Sequence, residues 1–183
     1  MAKLISRTYG EALFEIAVEK NMVDELYKEV LELKEILKDN AEYERLMNHP
    51  KILRETKEEI SESVFKGRLS NELTGLIKIV IENRRYEHID SILDYFIEAV
   101  KEYKKIGVAY VTTPMELSDI QKKEVEDKLL ETTGYDRMEM SYLIDPSLIG
   151  GMVIRIGDRV VDSSIRSKLD TLKKELLDIR LAV

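Results

Sequence analysis

Cysteine is absent from the sequence, which excludes disulfides and thiolate metal sites together. Histidine is almost absent: His49 and His88 are the only two, too few for an imidazole cluster. His49 precedes Pro50 in an expected loop and His88 follows the start of an expected helix. Neither has a ligand or triad partner at working spacing, so both read as ordinary surface residues. A basic excess is missing too. Lys and Arg number 29 against 36 Asp and Glu, a net charge of -7, and a nucleic-acid binder that needs a cationic face is excluded. No apolar run approaches the roughly 20 residues of a membrane span. The opening MAKLISRTYGEALFEIA has neither the apolar core of a signal peptide nor the Arg- and Ser-rich leader of a transit peptide. A cytoplasmic, bacterial protein without direct membrane insertion is expected. Glutamine occurs once, at Gln121, beside abundant Glu, Lys and Ile, which leans toward a heat-adapted source.

What is present is globular: 44% hydrophobic and 36% charged residues over 183 positions, enough for one domain or two small ones. Up to about Lys105 the chain reads as helix. Val23, Leu26, Val30, Leu33 and Leu37 form one apolar stripe, and Ile89, Leu93, Phe96, Val100 and Tyr103 another, both at steps of three and four. Shorter helices are expected near 41–47, 53–66 and 70–84, separated by His49-Pro50 and by Gly67, with Ser70 as N-cap. With the opening helix, this predicts an N-terminal six-helix bundle over residues 1–105. After Gly107 the period changes. Val108 to Thr113 is β-branched, Ser118 and Gln121 make a capping box, and Met138, Met140, Tyr142 and Ile144 alternate with polar residues. Met152, Ile154 and Ile156 alternate again, Gly157-Asp158 reads as a type II′ or I′ hairpin turn, and Asp162 or Ser163 caps a last helix. Residues 106–183 are therefore expected to form a small α+β domain of order β-α-β-β-β-α, and the fold as a whole is mainly α.

The glycines of DPSLIGGMVIRIGDRVVD invite a nucleotide reading, which the motif rules reject. A phosphate loop needs a lysine where this chain has Asp158, and a dinucleotide fingerprint opens a helix where this stretch runs through a strand. Gly150-Gly151 reads instead as a bulge or tight bend, and Gly157 as the positive-φ residue of the hairpin. Carboxylates interleave with lysines at helical spacing, as in Glu32, Lys34, Glu35 and Lys38, the pattern of a solvated face. No catalytic residue, cofactor site or metal site can be named, and the chain reads as a non-enzyme without a small-molecule substrate.

Apolar surface is left over in two places. On the first helix Ile5, Tyr9, Ala12, Leu13 and Ile16 make one face, yet Phe14 and Val18 point away, Phe14 lying about 180° from Ile5 at 100° per residue. On the fifth helix Leu73, Ile77 and Val80 make a core stripe, with Leu76 and Ile79 to one side and Asn83 beyond. These helices either sit centrally in the bundle or flank a groove for an amphipathic helix of another protein. On the last helix Ile165, Leu169, Leu172, Leu176 and Ile179 form a heptad seam. Its early part can cover the small sheet, and its later part outruns it.

Three segments, SRTYGEALFEIA, LIKIVIENRRYEHI and IDPSLIGGMVIRIGDRVVDSSIRSKLDTL, resemble the delta subunit family of bacterial F-type ATP synthase, related to the mitochondrial oligomycin-sensitivity-conferring protein. The likeness spans nearly the whole chain, and its last segment is the most specific. The resemblance implies a peripheral-stalk, or stator, connector on the cytoplasmic face of the cell membrane, held there through the complex. It implies an N-terminal domain whose groove between the first and fifth helices takes the N-terminal helix of an alpha subunit. On this sequence the groove falls on Tyr9, Ala12, Phe14, Val18, Leu76, Ile79 and Asn83. It also implies a C-terminal domain meeting the C-terminal region of the b subunits, carried here to Gly150, Gly151, Leu172, Leu176 and Ile179. The implied task is to resist rotational torque during ATP synthesis, with no catalysis of its own. The alternative is a helical adaptor of another cytoplasmic assembly.

Overall fold

In the computed structural model the described backbone covers residues 2–181 and the described side chains residues 3–177. The chain divides into two compact units, Met1–Lys101 and Glu102–Val183. The first holds α1 (Ala2–Glu19), α2 (Val23–Asp39), α3 (Ala41–Asn48), α4 (Arg54–Phe65), α5 (Asn71–Glu82), a short 3-10 turn at Tyr86–His88 and most of α6 (Ile89–Tyr103). The six helices are those the periodicity predicts. Their boundaries have local causes: the Ser70 hydroxyl accepts the Leu73 N–H at the start of α5, and Asn21 and Arg84 take positive φ just past α1 and α5.

One core fills this unit. Leu13, Leu26, Val30, Leu33, Leu73, Ile77, Val80, Ile92, Leu93, Phe96 and Val100 are all essentially inaccessible. The stripe on α2 buries as its spacing requires, from Leu26 to Leu37. The stripe on α6 does so only in part: Ile92 and Ile97 join it, whereas Tyr103, expected on the same face, is 60% exposed. Tyr103 is the last residue of its helix, where the next turn of core no longer exists. Tyr43 packs edge-on against Phe65 and Tyr86, at 5.7 and 6.1 Å between ring centroids, tying α3, α4 and the 3-10 turn together. Burial pushes both phenols upward, Tyr86 far out of the physiological range.

The second unit is a four-stranded mixed sheet in the order β2-β1-β3-β4, built from β1 (Ile106–Thr113), β2 (Arg137–Ile144), β3 (Val153–Ile156) and β4 (Arg159–Asp162), with α7 (Asp119–Thr132) between β1 and β2 and α8 (Ile165–Leu181) at the end. β1 runs parallel to β2 and antiparallel to β3, as the α7 crossover and the later reversal require. The capping box of Ser118 and Gln121 opens α7. Ile156 pairs with Arg159, so Gly157-Asp158 is a two-residue turn. Gly157 has φ +54 and Asp158 is not among the positive-φ residues, which is the type II′ pattern. Register places Gly107, Ala109, Val111 and Thr113 on one face with Met138, Met140, Tyr142 and Ile144. That face is covered at β2 by α7, whose Lys122 carbonyl accepts the Tyr142 hydroxyl. The core here is thin: Ala109, Val111, Met138 and Leu148 are its buried apolar residues.

Three local expectations need correction. Gly150 and Gly151 make a tight bend in the loop before β3, with Gly151 at φ +74, and not a bulge within a strand. The N-cap of α8 is Ser164, whose hydroxyl accepts the Ser167 N–H; Asp162 instead accepts the Ser164 N–H, so it orders the cap without being it. The early part of α8 does not hide under the sheet: Ile165 is 43% and Leu169 51% exposed.

Candidate functional site

α1 turns its smallest residues inward. Ser6, Gly10, Leu13 and Ala17 are its buried positions, and the helix lies close against α6. A Cβ added at Gly10 would stand 2.7 Å from the Tyr95 ring and 3.0 Å from the Ile92 carbonyl oxygen. With the core side filled by small side chains, Ile5, Tyr9, Ala12 and Ile16 form a second stripe beside it. Ile5 and Tyr9 are half-buried against the core, Ala12 is exposed, and Ile16 is 37% exposed.

α5 repeats the arrangement with larger residues. Leu73, Ile77, Val80 and Ile81 are buried, and about a quarter turn away stand Glu72, Leu76, Ile79 and Asn83. Ile79 is 48% exposed, whereas Leu76 is only 7% exposed: Leu76 belongs to the floor and the core edge, not to the open side. Two contacts bring the stripes together. The Lys20 ammonium donates to the Glu72 carboxylate at 2.6 Å, and the Arg85 guanidinium sits 5.8 Å from the centre of the Tyr9 ring. The first joins the end of α1 to the start of α5, and the second joins the first half of α1 to the segment after α5. The helices are therefore antiparallel, with Tyr9, Ala12 and Ile16 bordering Leu76, Ile79 and Asn83 along one valley. The hydrogen bond from Lys20 holds the Glu72 carboxyl below its usual range and raises Lys20 in return. The Asn83 side-chain amide donates to the Ile79 carbonyl at 2.9 Å, closing the last turn of α5 at the end of the valley.

Of the residues named from sequence, Tyr9, Ala12, Leu76, Ile79 and Asn83 come together. Phe14 and Val18 do not. They lie on the opposite flank of α1, half-buried, with Phe14 packed against the core, because 100° per residue cannot place them beside Ala12. Sequence reasoning put Ile16 on the same face of α1 as Tyr9 and Ala12 but left it out of the groove. It also left out the Lys20–Glu72 and Arg85–Tyr9 clamps, which join positions too distant along the chain for any local pattern to reveal.

The second apolar excess is on α8. Leu172 is 53%, Leu176 67% and Leu177 50% exposed; the side chain of Ile179 lies outside the described residues. The helix is anchored at its start: the Ile165 N–H donates to the Gly150 carbonyl at 2.9 Å, and the Arg166 guanidinium donates to the Ser147 hydroxyl at 2.9 Å. The two glycines make this anchor possible. A Cβ at Gly150 would meet Ile165 at 2.6 Å, and one at Gly151, where φ is +74, would run into the Ser163 carbonyl. Their structure is that of a close backbone approach under α8, so they set where the seam points.

Reactive chemistry is not assembled elsewhere among the described residues. There, no three His, Cys, Asp or Glu side chains could hold a metal ion, and no helix is long and apolar enough to cross a membrane. His49 accepts the Lys51 N–H through Nδ1, and His88 stands 3.4 Å from Glu87.

The family model described as ATP synthase delta (OSCP) subunit matches residues 5–176. The chain is 50% identical over 181 residues to the ATP synthase subunit delta of Lachnoclostridium phytofermentans, covering 99% of this chain and 100% of that one. It is 32% identical over 173 residues to that of Desulforamulus reducens, covering 94% and 95%. A chain in the cryo-EM structure of the Toxoplasma gondii mitochondrial ATP synthase hexamer superposes with a TM-score of 0.74 at 20% identity, covering 94% of this chain and 97% of that one, a likeness of fold.

Proposed function

The chain belongs to the ATP synthase delta (OSCP) subunit family, a peripheral-stalk component, and on that premise we propose that it connects the catalytic head to the stalk. Residues 1–105 receive the N-terminal helix of an alpha subunit in the α1–α5 valley. Residues 106–183 hold the C-terminal region of the b subunits along the α8 seam. The protein sits at the cytoplasmic face of the cell membrane through the complex and carries out no reaction itself. One observation supports the reading: the apolar stripes of α1 and α5 run side by side, tied by Lys20–Glu72 and Arg85–Tyr9, and leave Ala12, Ile16 and Ile79 accessible.

The mechanism is mechanical. Rotation of the central shaft drags the head round, and ion flow drives synthesis only if a static element opposes that torque. A helix laid in a valley resists sliding because its side chains interdigitate with both walls. Ile16 and Ile79 are 37% and 48% exposed, so burying the remainder contributes roughly 0.5–1.5 kcal/mol per side chain, before the entropy of docking. The clamps keep the walls at fixed separation, so the valley need not be rebuilt on binding.

The test is titration of the full chain with a peptide of the alpha subunit's N-terminal helix. Saturable binding is expected, and Ile79→Glu is expected to abolish it while leaving the thermal unfolding temperature unchanged. A variant that unfolds would assign Ile79 to the core, and wild-type protein that ignores the peptide would remove the head contact.

A further inference from the structure

We infer a binding site for a phosphate-type anion in the cleft between the α3–α4 loop and the end of α5, separate from the valley and independent of the stator reading. The cleft has a volume of about 680 Å³, within the roughly 300–1,000 Å³ of small-ligand sites. Four cations line it, Lys51, Arg54, Lys57 and Arg84, against two carboxylates, Glu55 and Glu87. This is the reverse of the whole chain, where acids outnumber bases 36 to 29. Local pairing does not account for the cations. Arg54 is held by Glu58 at 3.1 Å and Glu87 lies against His88 at 3.4 Å. Lys51, Lys57 and Arg84 have no ion-pair partner among the described residues.

In a chain this rich in carboxylates, three unpaired cations lining one concavity, Lys51 and Arg84 exposed and Lys57 half-buried, are a site of unmet positive charge. The lining also includes Met47, Ile81 and Tyr86, all nearly inaccessible to solvent, and an apolar lining strengthens the pull of the surrounding charges. Arg84 is rooted firmly. It is the positive-φ residue that ends α5, its N–H bonded to the Ile81 carbonyl and the next N–H to that of Val80, each at 2.9 Å. Glycine is the usual residue at such a position, yet here it carries a guanidinium. A planar guanidinium fork with two ammonium groups suits the tetrahedral oxygens of phosphate, through paired and point-charge contacts respectively. The cleft is compact, which favours a phosphate group, free or at the end of a nucleotide, over an extended acidic peptide.

The experiment is residue-resolved amide chemical-shift mapping on the full chain at constant ionic strength, with inorganic phosphate, pyrophosphate, ATP and an oligoglutamate peptide as probes and chloride as control. Saturable shifts confined to residues 47–57 and 81–87 with any phosphate species are expected. Tightest binding by ATP would identify the nucleotide as source, and tightest binding by pyrophosphate or phosphate the free anion; both support the site. Arg84→Gln and Lys57→Gln should each weaken the affinity by about tenfold, the loss of one charge-assisted contact, with unchanged unfolding temperature. Shifts no larger than with chloride, shifts spread over lysines and arginines everywhere, or binding of oligoglutamate without any phosphate species would each overturn the proposal.

Discussion

Two helical glycines with opposite surroundings show how much a single methyl group decides. Gly10 leaves no room: its Cβ position is contested by Tyr95 and by the Ile92 backbone. Gly75, in α5, has nothing within 4 Å. Gly10→Ala is expected to destabilise the protein by about 1–2 kcal/mol, because overpacking outweighs the gain in helix propensity. Gly75→Ala should stabilise it by roughly 0.5–1 kcal/mol, since only the propensity term changes. Urea midpoints of the two variants check the opposite signs. The Lys20–Glu72 clamp makes a further residue-scale prediction. Glu72 is held below its ordinary 4.5, so its contribution is present above that value and fades as pH falls through the depressed one. Lys20 is raised above its ordinary 10.5, so its contribution is present below that value and fades as pH rises through the elevated one. The clamp's contribution to stability should therefore be flat across neutral pH and fade at acid pH, read as the urea midpoint against pH, and Glu72→Gln should remove that acid-side fade.

At the scale of elements, the exposed seam of α8 is the feature that most needs a partner. Leu172 and Leu176 contribute little to the fold because both remain more than half exposed. Leu172→Glu and Leu176→Glu should leave the unfolding midpoint within about 0.5 kcal/mol of wild type yet abolish binding of a peptide from the C-terminal region of the b subunits. Helices, strands and the hairpin turn were all legible in the sequence, because periods of 3.6 and 2, caps and a glycine turn are written within a few consecutive residues. The innermost face was legible on α2 and α5 but not on α1. The apolar face of α1 named from sequence is Ile5, Tyr9, Ala12, Leu13 and Ile16, of which only Leu13 lies on the core side, with Ser6, Gly10 and Ala17. Small residues there let α6 approach, and the larger ones are displaced to the flank. Closeness between helices is a property of pairs of elements, which periodicity in one of them cannot register. The same reason hid Leu76 in the core edge and sent Phe14 and Val18 to the far flank.

For the whole molecule, the two units differ in how firmly each is built. The first buries Phe96, Met47 and a set of leucines and isoleucines completely, whereas the second buries completely only Ala109 and Val111 among its described apolar residues. Amide exchange should accordingly be slower in α5 and α6 than in β3, β4 and α8, where little apolar surface backs the hydrogen bonds. The proposed connector role assigns the head contact to the firmer unit and the stalk contact to the thinner one. The most direct test of the connector account is chemical-shift mapping of the full chain with the alpha subunit's N-terminal helix peptide. Shifts are predicted at Tyr9, Ala12, Ile16, Leu76, Ile79 and Asn83 and not at Phe14 or Val18. Shifts centred on Phe14 and Val18, or none in α1 and α5, would contradict it.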